Sequence, residues 1–87
     1  TLPYVWYTIV CYNMVMTVMV LYHGAEFKPL AFRDGQRWQK VKTLQQKWQQ
    51  PQGNRQLYHF VISTEEDQIW ELVYLWPDGY WRGWCLP

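Results

Sequence analysis

The sequence predicts a small, mostly β domain, an antiparallel meander or open barrel of about five strands with one short helix or helical turn. Aromatic residues make up 20% of the chain and charged residues 17%, and aromatic and β-branched residues favour strands. Apolar stretches of strand length alternate with short runs of Gly, Pro, Asn and Asp, which favour turns. A length of 87 residues allows one domain at most.

Residues 1–22 are an uncharged, apolar segment with three interpretations. The stretch from Tyr4 to Tyr22 is about long enough to span a bilayer, and aromatic residues stand at both of its ends. Asn13 near its centre and the lack of a flanking basic cluster argue against a membrane anchor. Val, Ile, Thr, Tyr and Trp dominate the stretch, and the chain does not begin with Met. We therefore expect a strand, or a leader extended upstream of the true start, rather than a transmembrane anchor.

Residues 26–87 are predicted to form the β domain. The first strand is expected over Lys28–Arg33, where polar and apolar residues alternate. Asp34-Gly35 follows and is a strong signal for a two-residue hairpin, because both positions of such a turn need positive φ. The chain is expected to return as a second strand over Gln36–Lys42.

The spacing of apolar residues changes at the end of that second strand. Val41, Leu44 and Trp48 fall at positions i, i+3 and i+7, which is a helical period. The sequence therefore predicts a short helix or helical turn over about residues 41–48. The composition of residues 50–54, Gln-Pro-Gln-Gly-Asn, predicts a loop.

Three further strands are expected to complete the sheet, over Gln56–Ser63, Gln68–Trp76 and Tyr80–Leu86. The second of these is apolar on both faces, whereas a sheet with one solvated face should be polar there. Something must therefore cover the second face. The predicted helix, the N-terminal segment, closure of a barrel and a protein partner are the alternatives.

The sequence contains no motif that predicts catalysis, a cofactor or a metal site. A Gly-rich phosphate loop, HExxH and GxSxG are all missing. His23 and His59 are isolated, and a histidine becomes a catalytic base only beside a nucleophile and an orienting group. The acidic residues 65–67 are read as a solvated turn rather than a cation site. We therefore expect a domain that is not an enzyme and uses no cofactor.

The two cysteines, Cys11 and Cys85, lie far apart and fit neither a CxxC nor a metal-binding pattern. We expect them to be free thiols in a reducing compartment, which places the protein in the cytoplasm. A single long-range disulfide is the alternative if the protein is secreted.

Charged residues separate into two poles along the chain. Residues 28–55 carry seven basic side chains and one acidic one, whereas residues 63–78 carry five acidic and no basic ones. Cations beside aromatic rings suit single-stranded nucleic acid, because cations neutralise phosphates and rings stack on bases. The predicted nucleic-acid-binding residues are Arg33, Arg37, Trp38, Lys40, Lys42 and Lys47.

Other interpretations of the same residues stay open. Trp38 and Trp48 are core residues in one of them, and the neighbouring cations form an ordinary solvated face. The two poles also suit self-association, basic end to acidic end. The functional alternatives are a nucleic-acid-binding module, a protein-interaction or structural domain that uses an apolar sheet face or edge, and a small membrane-anchored protein.

The stretch from Phe32 to Trp48 resembles part of a small, β-rich bacterial domain family of unknown function, often encoded near Y-family translesion DNA polymerases. The matching residues are Phe32, Asp34, Gly35, Trp38, Val41, Leu44 and Trp48, then an apolar strand over Tyr58–Ile62 and a closing hairpin with Glu71, Leu72, Tyr74 and Trp81. The similarity covers about residues 28–82. It implies an accessory role related to nucleic acid and transfers no activity or catalytic residue.

Overall fold

The computed structural model describes residues 16–87 and places them in one antiparallel sheet of six strands. The strands are β1 (Val18–His23), β2 (Glu26–Asp34), β3 (Arg37–Gln52), β4 (Arg55–Thr64), β5 (Ile69–Trp76) and β6 (Tyr80–Leu86). Their order in the sheet is their order in the sequence, so every connection is a hairpin. The sheet curls into a half-barrel, and the described residues include no helix long and apolar enough to cross a bilayer.

Three of the hairpins turn in the same way, with glycine at the first of two loop residues. Strand register places these loops at Gly24-Ala25, Gly35-Gln36 and Gly53-Asn54, with φ between 61° and 67° at each glycine. A positive φ at the first loop position alone is the pattern of a type II′ turn. The hairpin predicted at Asp34-Gly35 is therefore present, but its turn lies one residue later, and Asp34 ends β2.

We expect Gly35→Ala to lower the free energy of unfolding by about 1–2 kcal/mol, the cost of placing an L-residue in the left-handed region. Gly35 has φ of 67°, and a Cβ added there would meet no atom within 4 Å, so the effect comes from the backbone alone. Gln36→Ala, one residue later in the same turn, is the control and should change little. Urea denaturation measures both, and equal midpoints for the two variants would contradict this turn.

Strand β3 replaces the predicted helix over residues 41–48, and that prediction is wrong. The strand is 16 residues long and pairs with β2 over its first residues and with β4 from Val41 onward. Its register shifts between Val41 and Thr43 and again between Leu44 and Gln46. Each shift inserts an extra residue as a β-bulge, so side chains on one face recur at a spacing of three rather than two. The bulges therefore imitate a helical period at Val41 and Leu44.

The hydrophobic core lies on the inner face of the curled sheet. Phe32, Ile62 and Leu72 are completely buried there, together with the aromatic side chains of Phe60, Trp70 and Trp81. The partly buried residues that pack against this cluster are Met16, Val18, Val20, Phe27, Val41, Tyr58 and Tyr74. Strand β1, which the sequence placed within the segment of residues 1–22, therefore contributes to the core.

The curl brings the two ends of the described chain together. The Met16 N–H donates a hydrogen bond to the Trp81 carbonyl over 2.9 Å, and the Thr17 carbonyl accepts one from the Arg33 N–H. Gly83 in β6 makes room for this approach. A Cβ at that position would lie 2.6 Å from Leu72 Cδ2 and 2.9 Å from Met16 Sδ.

Strand β5 is buried on both faces, as its sequence indicated. Trp70 and Leu72 belong to the inner core, while Val73 and Leu75 are buried on the outer face. Curling of the sheet covers the inner face, and the predicted covering helix does not exist. Residues 1–15, which include Cys11 and most of the N-terminal segment, fall outside the described part of the chain.

Candidate nucleic-acid interface

The six predicted nucleic-acid-binding residues lie on β2 and β3, and the structure divides them into three groups. Arg33 and Trp38 are directly opposite each other across the two strands. Lys40 follows Trp38 by two residues in β3 and therefore shares its face. The exposed fraction of Trp38 is 48%, so Trp38 is not a core residue.

Arg37 and Lys42 form a second group, which faces the acidic turn between β4 and β5. Arg37 forms an ion pair with Glu66, and Lys42 Nζ lies 3.5 Å from Asp67 Oδ1. All four side chains are more than half exposed, so the pairs add little stability. These ion pairs neutralise Arg37 and Lys42 locally. The basic and acidic stretches of the sequence therefore contact each other within one molecule.

Lys47 stands apart from both groups. Pairing with Phe60 places it on the inner face of β3, near the turn between β1 and β2. Its Nζ atom lies 3.4 Å from Glu26 Oε1. Lys47 is therefore separated from Trp38 by the sheet itself.

Four basic residues form no ion pair within residues 16–87, and three of them lie on the outer side of β1–β3, in a surface that we call the basic-aromatic patch; the fourth, Arg82, lies on β6. Lys28, Arg33 and Lys40 are exposed and form no ion pair within residues 16–87. Exposed apolar side chains adjoin them, with Met19 opposite Ala31 and Leu21 opposite Lys28 in the β1–β2 pairing. The patch comprises Met19, Leu21, Lys28, Leu30, Arg33, Trp38 and Lys40.

Sequence reasoning missed the apolar members of this patch and Lys28. Met19 and Leu21 alternate with Val18 and Val20 in β1, a period of two that signals a half-buried strand. That signal was available within the uncharged N-terminal segment. The pairing of β1 with β2 was not predictable, because the register shifts between Met19 and Val20, where β2 contains one extra residue, Leu30.

A second polar feature lies on the outer face of β3–β5, where His59 contacts both Trp48 and Glu71. The imidazole Nδ1 is 2.8 Å from Glu71 Oε2, and the indole of Trp48 stacks on the imidazole with ring centroids 4.6 Å apart. The side chains of His59 and Glu71 are only 12% and 17% exposed. His59 Nε2 is buried and has no hydrogen-bond partner within the described residues, so no nucleophile stands beside it. One face of Trp48 is therefore occupied by His59 rather than free for a base.

Hydrogen bonds and ion pairs to other residues of the chain hold the acidic turn of residues 65–67 in place. The buried Thr64 hydroxyl accepts hydrogen bonds from the N–H groups of Glu66 and Gln68, each over 3.2 Å. With Arg37 and Lys42 as partners, two of the three acids serve ion pairs. Within residues 16–87 there is no group of three His, Cys, Asp or Glu side chains arranged to hold a metal ion.

Cys85 is an exposed thiol at the end of β6. Partial burial, and to a smaller extent the negative charge of Asp34, raise the pKa of this thiol above its ordinary value. Because the thiolate is the reactive form, Cys85 is a weak nucleophile at neutral pH. It therefore adds no catalytic group to the surface.

Comparison of the chain with protein-family models, with curated proteins and with solved structures finds no match. The resemblance to the bacterial β-domain family stays a prediction. The geometry of the basic-aromatic patch is therefore the basis on which function is inferred.

Proposed function

We propose that this domain is a non-enzymatic binding module that holds single-stranded nucleic acid on its basic-aromatic patch. The observation that supports this is the position of Trp38, exposed and flanked on the same face by Arg33 and Lys40. An exposed indole offers a stacking surface that every base can use, and the adjacent cations suit phosphate oxygens. Neither Arg33 nor Lys40 is held by an acidic side chain within the described residues.

The structure narrows the set of residues expected to contact phosphates. The carboxylates of Glu66 and Asp67 lie beside Arg37 and Lys42 and would repel a phosphate there. Lys47 lies on the opposite face of the sheet. Lys28, Arg33 and Lys40 remain, which allows about three phosphate contacts. At roughly −0.7 per contact, the logarithm of affinity should fall with the logarithm of salt at a slope of about −2.

Two double variants with the same change of charge test this assignment. Arg33→Gln with Lys40→Gln should weaken binding of a fluorescein-labelled oligothymidylate about tenfold at low salt and reduce the slope by about 1.4. Arg37→Gln with Lys42→Gln removes the same charge beside the acidic turn and should change affinity less than about twofold. Fluorescence anisotropy measures both, and equal losses in the two double variants would contradict the proposed patch.

Trp38→Ala separates a stacking role from a structural one. We expect binding to the same oligonucleotide to weaken by about 1–3 kcal/mol while the thermal unfolding midpoint stays nearly constant. A lower midpoint with unchanged binding would overturn the role of Trp38. Absence of binding by the parent protein at tens of micromolar, roughly where non-specific complexes form, would overturn the nucleic-acid proposal itself.

A protein-interaction role is the second candidate, and the exposed apolar side chains of the same patch favour it. Met19, Leu21 and Leu30 are 54%, 45% and 38% exposed. The β1–β2 pairing places Met19 opposite Ala31 and Leu21 opposite Lys28. Contiguous exposed apolar groups are typical of protein-binding surfaces. In that case Met19→Ser with Leu21→Ser would abolish capture of a protein partner, whereas oligonucleotide binding depends on Arg33 and Lys40.

A further inference from the structure

A gap in the sheet separates the first half of β2 from the second half of β3. The two strands pair only between Ala31–Asp34 and Arg37–Lys40. Beyond Lys40 the bulges of β3 direct it towards β4, while the first residues of β2 pair with β1 alone. The gap lies beyond the last pairs between the two strands, away from Trp38 and Lys40.

This gap contains a cavity of about 330 Å³. Its lining is largely aromatic and includes Phe27, Tyr58 and Phe60, together with Trp48 and His59. The Phe27 ring lies 5.2 Å from the Tyr58 ring and 5.5 Å from the Phe60 ring. Small-molecule sites start at about 300 Å³ and combine an apolar lining with a few polar groups. The size and lining suit one aromatic ring with a short polar substituent.

The mouth of the cavity carries one charge of each sign. Glu26 on β2 and Lys47 on β3 both line the cavity and face each other across the gap, with Lys47 Nζ 3.4 Å from Glu26 Oε1. Both side chains are more than half exposed, so their pair is weak and its members are free to take other partners. Gln49 is also in the lining, and its side-chain amide donates a hydrogen bond to Gln56 Oε1 over 2.9 Å.

We propose that this cavity binds a free aromatic α-amino acid as its zwitterion. The aromatic ring packs on Phe27, Tyr58 and Phe60, the ligand carboxylate contacts Lys47, and the ligand ammonium contacts Glu26. A ligand with a single charge gains one of these contacts but meets repulsion from the other charged group. A rim with one positive and one negative side chain therefore favours a ligand that also carries one charge of each sign. This preference does not depend on nucleic acid binding to the basic-aromatic patch.

Titrations of ¹⁵N-labelled protein with four matched compounds test the ligand class by NMR. The compounds are phenylalanine, phenylacetate, phenethylamine and N-acetylphenylalaninamide, which share the ring and differ in charge. We expect phenylalanine to bind with a Kd on the order of 1 mM, typical for a ligand of this size, and each of the others about three- to fivefold more weakly. The shifted amides should be those of Phe27, Lys47, Tyr58 and Phe60. Tighter binding of the capped amide would indicate a peptide segment instead, and no shifts at these residues would exclude the site; either result overturns the proposal.

Single variants provide an internal check, because each should change the order of preference rather than affinity alone. Lys47→Gln should bind phenethylamine better than phenylacetate, and Glu26→Gln should show the reverse order. Lys42→Gln, on the same strand and away from the cavity, should leave phenylalanine the preferred ligand. Ratios within one variant are insensitive to small losses of stability, so an unchanged order in both rim variants would overturn the assignment of the two charges.

Discussion

Trp81→Ala is expected to lower the free energy of unfolding by about 3–5 kcal/mol, the range for removing an aromatic side chain from a core. Trp81 is 6% exposed, and its ring centroid lies 5.2 Å from Tyr74 and 5.7 Å from Phe60. A domain of this length is stable by roughly 4–13 kcal/mol at the usual value per residue. The variant should therefore lose between about a quarter and all of this stability.

Trp38→Ala is the matched control, because it removes the same side chain from the exposed face of β3. We expect a change within about 0.5 kcal/mol, as for surface substitutions in general. Urea denaturation followed by far-ultraviolet circular dichroism compares the two variants without relying on indole fluorescence. Similar losses for Trp38 and Trp81 would mean that the inner and outer faces of the sheet are assigned wrongly.

Gly83→Val is expected to cost about 3 kcal/mol, near the upper end of the range for overpacking a filled core. A Cβ there would lie 2.6 Å from Leu72 Cδ2, and Leu72 is completely buried with no free space to move into. Met16 Sδ, at 2.9 Å, belongs to a more flexible side chain. The φ of Gly83 is not in the left-handed region, so the cost measures packing rather than backbone strain.

A double variant separates this explanation from a general intolerance of β6. Leu72→Ala alone should also destabilise, by about 2–5 kcal/mol. Combined with Gly83→Val, it gives the new side chain space, so the two losses should sum to less than their separate values. Chemical denaturation of the three proteins gives the coupling, and strict additivity would show that Gly83 and Leu72 do not compete for the same volume.

The strands of the second half of the domain were predictable because their signals are local. The predicted strands over Gln56–Ser63, Gln68–Trp76 and Tyr80–Leu86 agree to within a residue with β4, β5 and β6. Each is a run of strand length rich in aromatic and β-branched residues, and turn-forming or charged residues lie at its ends. The hairpin at Gly35 was predictable for the same reason, although its type was not, because types I′ and II′ differ only in which loop residues take positive φ.

Strand β3 was not predictable because its two halves pair with different strands, the first with β2 and the second with β4. It leaves β2 and joins β4 along one continuous strand, and the bulges after Val41 and Leu44 produce that change of direction. A bulge adds a residue without any change in composition, so the sequence shows only an altered spacing. The helical interpretation of residues 41–48 followed from that spacing alone.

The clustering of basic residues along the sequence predicted only part of the candidate site. Arg37 and Lys42 were grouped with Trp38, yet their partners, Glu66 and Asp67, come from a turn far along the chain. Net charge over a stretch of sequence cannot show which cations are neutralised in three dimensions. Strand alternation would have separated Arg37 from Trp38, since adjacent residues point to opposite faces.

The contact between Met16 and Trp81 has a consequence for how the domain opens. Every strand pairs with its neighbour in sequence, so most of the sheet closes short loops, at a low cost in chain entropy. The Met16–Trp81 bridge alone joins the two ends of the described chain, and its closure costs more entropy than any hairpin. Fluctuations that release this bridge would leave the five hairpins paired, and partial opening of the inner face would therefore begin at this seam.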